Sequence, residues 1–184
     1  MHPMNLETFV QGMTRIVEEE GEEPRILERA RPLLAQLIAR DDWLAPEYTV
    51  PGPDTYRQYL LYRDPRARFS VISFVWGPGQ STPVHDHTVW GLVGVLRGAE
   101  RCCEYELAAD GRARATGDEH ILRAGALEAV SPTVGDVHTV ANALADRPSI
   151  SIHVYGADIG KVVRHAYDAV TGEPREFVSG YSNA

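Results

Sequence analysis

The chain has 184 residues, of which 43% are hydrophobic and 24% are charged, and its formal net charge is −8 at pH 7. This composition is typical of a globular protein with a sizeable core. The net negative charge disfavours binding to nucleic acid or to an anionic membrane, so we expect neither as a partner. An anionic substrate would need a cation placed locally in its site.

The two cysteines, Cys102 and Cys103, are adjacent in the sequence. Neighbouring residues of a strand point to opposite faces, so these two are poorly placed to bridge each other. One such pair does not form a disulfide framework, which fits a reducing compartment. The segment MHPMNLETFVQG lacks the features of a signal peptide. No apolar stretch approaches the ~18 residues that a membrane helix needs. We therefore expect a cytoplasmic protein.

Residues 5 to about 45 are predicted to be helical. In the segment NLETFVQGMTRIVEEE, apolar residues recur at spacings of three and four, which gives one apolar stripe. Gly21 interrupts the pattern, and a second helical segment follows. Pro24 suits the first turn of that segment, whereas Pro32 is expected to kink or split it. We expect these helices to form a cover, or lid, on a larger unit.

From about residue 54 onward, short segments rich in Val, Ile, Phe and Tyr alternate with turns of Gly, Pro and Asp. Examples are RFSVISFVW, WGLVGVLRG and PSISIHVYG. Many short strands at regular spacing indicate a β-sandwich or a β-barrel. We expect a single, mainly β domain over residues 1–184, with the helical cover at about 5–45 and a β-barrel at about 54–184.

The seven histidines include an H-x-H pair, His85 and His87, in the segment PGQSTPVHDHTVWG. On a strand, residues i and i+2 point to the same face, so the two imidazoles are placed to share one metal ion. We expect His2, His120 and His165 to lie at the surface or to be placed incidentally, without a role in a site.

The spacing of residues 79–98 resembles the first cupin motif, in which a glycine precedes H-x-H by five residues and a glutamate follows it. Here Gly91 stands in the place of the glutamate. A second cupin-like motif covers residues 125–142 and includes His138. In cupins, the two motifs supply metal ligands from neighbouring strands of a jelly-roll barrel. The resemblance implies a metal site formed by His85, His87 and His138.

Without the glutamate, the predicted site offers three neutral imidazoles and no carboxylate. The common non-haem iron triad has two histidines and one carboxylate. An iron(II) ion bound to three imidazoles keeps its full charge for the substrate, which favours a thiolate whose pKa the metal lowers. Such a site indicates an oxygenase whose substrate brings its own anionic ligand. The ligands alone do not name the metal, because Fe(II) binds more weakly than Zn(II) or Cu(II).

Residues 54–170 resemble the thiol dioxygenases of the cysteine dioxygenase family, most specifically in the segment WGPGQSTPVHDHTVWG. The resemblance implies iron(II), Fe(2+), as the cofactor at the three histidines. It also implies an outer-sphere relay of Ser151, His153 and Tyr155. These three residues alternate with apolar residues on a predicted strand, so they would share its inner face. A tyrosine oriented by a histidine and a serine can act as a hydrogen-bond relay for dioxygen or a proton.

Two departures from the mammalian-type enzymes of this family bear on the substrate. Those enzymes cross-link a cysteine to the relay tyrosine, and the matching position here is Gly91. They clamp the cysteine carboxylate with an arginine, and the matching position here is Gln58, whose amide is uncharged. This pattern resembles the bacterial glutamine-type branch, which prefers 3-mercaptopropionate and in which an arginine matching Arg164 helps to bind the carboxylate. Arg57 and Arg63 are expected to face solvent.

The sequence therefore predicts an iron(II)-dependent thiol dioxygenase that converts 3-mercaptopropionate and O2 to 3-sulfinopropionate. A cysteine dioxygenase that forms cysteine sulfinate is the first alternative. A different metal-binding cupin, such as a nickel or manganese dioxygenase, an isomerase or a non-enzymatic binder, is a more distant one. Trp76 and Trp90 are expected to fill the core rather than to contact substrate. The oligomeric state is left open by the sequence.

Overall fold

The computed structural model describes residues 4–184, in which two helices precede eleven strands; His2 lies outside the described residues. The helices are α1 (Leu6–Glu19) and α2 (Glu23–Ile38), and two short 3-10 segments span Pro46–Thr49 and Ile159–Lys161. The strands are β1 Arg57–Arg63, β2 Ser70–Trp76, β3 Val84–His85, β4 Gly91–Arg97, β5 Ala99–Leu107, β6 Ala113–Arg123, β7 Leu127–Val130, β8 Val137–Asn142, β9 Ser149–Tyr155, β10 Arg164–Tyr167 and β11 Pro174–Phe177.

The two helices begin where the sequence provides start signals. The side chain of Asn5 caps α1 by accepting a hydrogen bond of 2.9 Å from the backbone N–H of Thr8. Pro24 lies in the first turn of α2, as expected. Pro32 does not split the second segment, because α2 continues across it. Neither described helix has the length and hydropathy needed to cross a membrane.

The strands form two antiparallel sheets, which confirms the mainly β fold with a helical N-terminal segment. One sheet has the order β1-β2-β9-β4-β7, and the other has the order β11-β10-β3-β8-β5-β6. In the first sheet, β9 pairs with β2 on one side and with β4 on the other. The relay predicted on β9 therefore lies on the central strand of its sheet, where both edges are already paired.

The helices pack on the outer face of the first sheet. Ile150, Ile152 and Val154 of β9 belong to one buried cluster with the apolar residues of α1 and α2. The alternate residues of β2 and β9 point the other way, into the interior shared with the second sheet. The strands are buried on both faces for this reason. The helices are a cover for the sheet and do not form a lid over the larger interior cavity.

The segment after β11, residues 178–184, runs along the free edge of β1. The backbone N–H of Ser182 donates to the carbonyl of Gln58 at 2.8 Å, and the N–H of Leu60 donates to the side chain of Asn183 at 2.8 Å. These contacts satisfy backbone groups that an edge strand would otherwise expose. They also bring the last residues of the chain against the interior cavity.

Candidate functional site

Three imidazoles converge in the interior between the two sheets. His85 ends β3 and pairs with His138 of β8, and one ring nitrogen from each of His85, His87 and His138 lies within 4.8 Å of the others. All three side chains are buried. The prediction that both members of the H-x-H pair lie on one strand is wrong in detail, because β3 ends at His85 and His87 follows it. The structure nevertheless brings the three predicted residues together.

Two of the three rings are oriented by hydrogen bonds at Nδ1. His85 Nδ1 lies 3.1 Å from the carbonyl oxygen of Pro83, and His87 Nδ1 lies 3.1 Å from the carbonyl oxygen of Asp136. A carbonyl only accepts, so each Nδ1 carries the hydrogen and each Nε2 keeps its lone pair. Burial lowers the pKa of His85 and His138, which favours neutral rings. This donor set fits a metal ion bound by three neutral imidazoles.

Asp136 fixes the position of His87, which has no strand to hold it. The Asp136 carboxylate accepts from the backbone N–H groups of His87 at 3.0 Å and Thr88 at 3.1 Å. Thr88 has φ +60, in the left-handed region that a β-branched residue rarely adopts. The sequence reasoning missed Asp136; its position two residues before His138 in the second motif was the available signal.

Asp86, between the two histidines of the first motif, ties β3 to β10. Its buried carboxylate accepts from the backbone N–H of His165 at 2.8 Å and from the hydroxyl of Tyr167 at 3.0 Å. The ring of His165 also lies 2.8 Å from this carboxylate. His165 is therefore half-exposed but has a structural contact, which the expectation of an incidental histidine did not include.

The predicted relay forms a continuous row on β9. Ser151 Oγ lies 2.8 Å from His153 Nε2, and His153 Nδ1 lies 2.7 Å from the Tyr155 hydroxyl. All three side chains are buried, and burial lowers the pKa of His153 and raises the pKa of Tyr155. The Trp76 indole N–H donates to Ser151 Oγ at 3.4 Å. The row thus consists of neutral groups held in one order.

Gly91 lies directly opposite Tyr155 across β4 and β9. A Cβ atom at this position would come within 2.7 Å of two carbons of the Tyr155 ring and within 2.8 Å of Val130. The ring of Tyr155 therefore occupies the space that any side chain at residue 91 would need. With glycine at residue 91, the site has neither a carboxylate ligand nor a cysteine at that position.

Glu100, on β5, is a buried carboxyl group that the sequence reasoning missed. Ser149 donates to its Oε1 at 3.1 Å, while Oε2 has no hydrogen-bond partner among the described residues. Burial raises the pKa of Glu100 to about 7, against the opposing effect of the nearby Ser151 and Ser149 hydroxyls. No sequence signal identified it, because acidic residues on strands are usually exposed.

A cavity of about 460 Å³ opens beside the histidines and the relay. Arg164 is the one residue with a permanent charge among the described residues that line it, and no Asp or Glu lines it. The cavity is lined by Thr55, Tyr56, Gln58, Phe74, Trp76, Thr82, Pro83, His85, His138, Val140, His153, Tyr155, Arg164, Ala166, Phe177, Ser179, Tyr181 and Ser182. The C-terminal residues in this wall were not foreseen.

The guanidinium of Arg164 is buried, with 5% of the residue exposed, and forms no salt bridge among the described residues. It lies 4.8 Å from the centre of the Phe177 ring, and its Nη2 donates to Ser179 Oγ at 2.8 Å. Its Nε is buried without a hydrogen-bond partner in the described part of the chain. An unpaired buried cation and N–H group are costly unless an anion binds there.

Gln58 also borders the cavity, on β1. Its side-chain N–H donates to the carbonyl of Gly180, and its backbone N–H donates to Ser182 Oγ at 3.0 Å. The amide is therefore partly engaged by the C-terminal segment. Its oxygen and its second N–H hydrogen are left for other contacts.

The remaining predicted residues are placed as follows. Arg57 and Arg63 do not line the cavity, and Arg63 is partly exposed and 3.3 Å from Asp158. Trp90 packs with the helix-facing core, as expected, whereas Trp76 is both buried and part of the cavity wall. Trp76 therefore fills the core, as expected, and also lines the cavity.

The fold and the site define a β-barrel protein with a buried three-histidine site that could hold a metal ion. Residues 48–169, well over half of the chain, match the model of the family described as cysteine dioxygenase type I. The chain belongs to this family.

Solved structures of similar shape come from several bacteria. A cupin-like protein from Thermotoga maritima is 18% identical with a TM-score of 0.49, covering 71% of this chain and 92% of that one. An uncharacterized conserved protein with a double-stranded β-helix domain from Klebsiella pneumoniae is 21% identical with a TM-score of 0.48, covering 66% and 95%. A Cupin 2 conserved barrel domain protein from Salinispora arenicola is 18% identical with a TM-score of 0.46, covering 64% and 89%.

Family membership indicates a metal-dependent dioxygenase that acts on a small thiol and O2. The three-histidine site provides a place for the metal ion.

Proposed function

We propose that the protein is an iron(II)-dependent thiol dioxygenase that converts 3-mercaptopropionate and O2 to 3-sulfinopropionate. The observation that carries this proposal is the charge of the cavity, which has the Arg164 guanidinium and no carboxylate among its described lining residues. A thiol carboxylic acid has one carboxylate, and the single guanidinium of Arg164 can pair with it. The ammonium group of cysteine would enter the same space without an anionic partner, at a cost in desolvation.

In this proposal, His85, His87 and His138 hold the iron through nitrogens that converge within 4.8 Å. Iron bound there would supply positive charge that favours an ionised thiol and a centre at which sulfur and O2 react. The overall reaction is RSH + O2 → RSO2H. Both oxygen atoms go to sulfur and the thiol supplies the electrons, so no external reductant is needed.

Arg164 binds the substrate carboxylate in this scheme. Its Nε has no hydrogen-bond partner among the described residues and its Nη2 donates to Ser179, so the guanidinium has N–H groups left for charge-assisted hydrogen bonds to a carboxylate. The buried position of the guanidinium strengthens such bonds, because little water competes for them. Gln58 contributes a neutral amide contact beside the same wall.

The relay residues hold a proton at the Tyr155 oxygen. Burial keeps Tyr155 protonated and His153 neutral, since it disfavours the charged form of each. The Ser151 hydroxyl lies between His153 Nε2, 2.8 Å away, and the Glu100 carboxyl group, and its one hydrogen can be donated to only one of them. His153 Nδ1 and the Tyr155 oxygen, 2.7 Å apart, share one hydrogen, so the row can hold or pass a proton at the Tyr155 oxygen beside the cavity.

The test is a comparison of kcat/KM for 3-mercaptopropionate and cysteine on iron-loaded protein, measured by oxygen uptake and by the sulfinate formed. We expect a preference for 3-mercaptopropionate. Cysteamine, which has the amine and the thiol but no carboxylate, is the matched control and should be a poor substrate. A preference for cysteine would overturn the substrate assignment.

Gln58→Arg tests the second contact in the cavity wall. The change introduces the arginine with which the mammalian-type enzymes of the family clamp the cysteine carboxylate, so we expect selectivity to shift towards cysteine. Unchanged selectivity would show that Gln58 does not determine substrate choice.

Metal content must be measured together with activity. We expect oxygen uptake to follow the amount of iron bound, and zinc-loaded protein to be inactive because Zn(II) has no redox chemistry. Activity that follows bound nickel or manganese instead would favour one of the other metal-dependent cupin reactions. Thiol binding without oxygen uptake in iron-loaded protein would favour a binding function.

Cysteine dioxygenase activity is the second candidate, and the description of the matching family favours it. In that case the cysteine ammonium would rely on neutral acceptors such as the hydroxyl of Tyr56, which lines the cavity. Raised pH, at which free cysteine loses its ammonium charge, should then improve binding of cysteine more than that of 3-mercaptopropionate.

A further inference from the structure

A second cluster of metal-ligating side chains lies in a smaller cavity of about 100 Å³, which shares His138 with the first cavity. Cys102, His120 and Glu128 each offer a ligand atom there, and these three atoms lie within 4.8 Å of one another. His120 Nε2 is 2.8 Å from the Glu128 carboxylate, and His120 Nδ1 is 3.7 Å from that of Glu104. The family resemblance and the proposed thiol chemistry use none of the three.

The fold holds these side chains together from three strands and both sheets. Cys102 of β5 and His120 of β6 are direct cross-strand partners, so their side chains share one face. Glu128 comes from β7 in the other sheet, where its neighbours Leu127 and Ala129 pack towards the helices. The alternation of the strand therefore turns Glu128 into the interior.

The charges around this cavity favour a cation. Its described lining residues include the carboxylates of Glu104, Glu128 and Asp136 but no lysine or arginine. Burial, together with Glu128, raises the pKa of the Cys102 thiol. A bound divalent ion would offset the repulsion among these groups and stabilise the thiolate.

We propose that Cys102, His120 and Glu128 form a second metal site for a divalent ion of the zinc class. One thiolate, one imidazole and one carboxylate match the borderline-soft preference and tetrahedral coordination of Zn(II). Glu104 or a water molecule completes the fourth position. Binding replaces the thiol proton with the metal, so one proton is released and no electron is transferred. The ion would link the two sheets beside the thiol dioxygenase site.

The test is a titration of the full-length, metal-free protein with Co(II) in a buffer without thiols, followed by the thiolate-to-cobalt charge-transfer absorption. Only a site that contains cysteine gives this absorption, so the three-histidine site does not contribute to it. We expect the band to saturate when one ion per chain is bound at this site, in addition to the Co(II) taken up by the three-histidine site, and to disappear when Zn(II) is added. Absence of the band in the wild-type protein overturns the proposal.

Two matched variants identify the sulfur. Cys102→Ser should lose the band, while Cys103→Ser should keep it, because Cys103 lies on the opposite face of β5 beside Glu119. Loss of the band in Cys103→Ser with retention in Cys102→Ser overturns the assignment. Circular dichroism and thermal unfolding verify that both variants are folded.

His120→Asn provides the decisive measurement if Cys102→Ser does not fold, because His120 is partly exposed and its replacement leaves the thiol in place. We expect the Co(II) affinity from the band to fall by ~10-fold or more, since even outer-shell partners of a metal are worth ~10–100-fold in affinity. An unchanged affinity would show that the cluster is not the site. The titration does not depend on the thiol activity, so either proposal can fail alone.

Discussion

Two cavities with opposite charge meet at His138. The larger one, of about 460 Å³, contains the Arg164 guanidinium and no carboxylate among its described lining residues. The smaller one, of about 100 Å³, has three carboxylates and neither lysine nor arginine among its described lining residues. A net charge of −8 describes neither environment. The comparison teaches that the placement of a few buried charges, and not the overall balance, decides which ligand each space favours.

The difference also has a simple structural origin. β10 carries Arg164 and borders the larger cavity, whereas the acidic residues of the smaller one are Glu104 of β5, Glu128 of β7 and Asp136, which precedes β8. β8 lies between β10 and β5 in its sheet, and His138 of β8 lines both spaces. Substitutions that alter one cavity should therefore leave the other cavity intact.

Arg164→Gln is the change with the largest expected effect, because it removes the positive charge of the larger cavity. Loss of one partner of a buried charge pair costs ~2–5 kcal/mol, so kcat/KM for 3-mercaptopropionate should fall ~30-fold to ~4,000-fold. Steady-state oxygen uptake measures the effect. Arg63→Gln is the matched control and should retain activity, because Arg63 lies outside the cavity wall. Equal losses in both variants would contradict the role of Arg164.

Tyr155→Phe tests the proton-holding row at the boundary of the larger cavity. The ring remains buried beside Gly91, so the fold should be retained, while the hydroxyl bonded to His153 is lost. We expect kcat to fall ~10²-fold with a small change in KM, in the range of general acid–base contributions. A raised KM with unchanged kcat would instead indicate a contact made by the substrate alone.

Glu100→Gln tests a buried carboxyl group that is not among the described lining residues of either cavity. Its folded-state pKa of about 7 lies above the usual 4.5, so folding stability falls as pH rises from about 4.5 to about 7 and is level above that. Glutamine has no carboxyl group to ionise, so Glu100→Gln should remove this loss of folding stability, which amounts to about 3 kcal/mol. Urea unfolding at several pH values measures it.

The control for this experiment is Glu119→Gln, a change at a more exposed position on β6. Its stability should follow the wild-type pH dependence. If Glu100→Gln also follows that dependence, the carboxyl group is not held protonated in the folded protein.

Gly91→Ala has the smallest expected effect and tests the contact behind the relay. The added Cβ would meet the Tyr155 ring at 2.7 Å, so strain of about 1–3 kcal/mol and a displaced tyrosine are expected. Gly21→Ala is the control, because a Cβ there meets nothing within 4 Å. Thermal unfolding and kcat should change in Gly91→Ala only. A stable, fully active variant would mean that the Tyr155 ring moves aside freely.

The sequence predicted the parts of the molecule that depend on local pattern. Alternation on β9 placed Ser151, His153 and Tyr155 on one inner face, and the structure brings them into hydrogen-bond contact. The two motifs predicted that His138 and His85 share a site, and in the structure the two residues pair across β3 and β8. Strand alternation acts over short distances along the chain, whereas the pairing of His138 with His85 joins distant segments and was predicted from the resemblance to the cupin motifs.

The parts that were missed depend on contacts between distant segments. Asp136 holds His87, and Glu100 lies behind the relay, yet neither has a local pattern that distinguishes it from a surface acidic residue. The negative charge of the smaller cavity arises only when Glu128 of β7 comes close to Glu104 of β5 and to Asp136. His120 was taken as incidental for the same reason.

The pairing of the C-terminal segment with β1 has a consequence for how the protein is made. Hydrogen bonds that close this wall join residues 122 and 124 positions apart, and they involve Gly180 and Ser182. These contacts cannot form until residues 180 to 182 have been synthesised and have reached β1. The part of the cavity wall that includes Ser179 and Tyr181 therefore depends on a contact that is made late in synthesis.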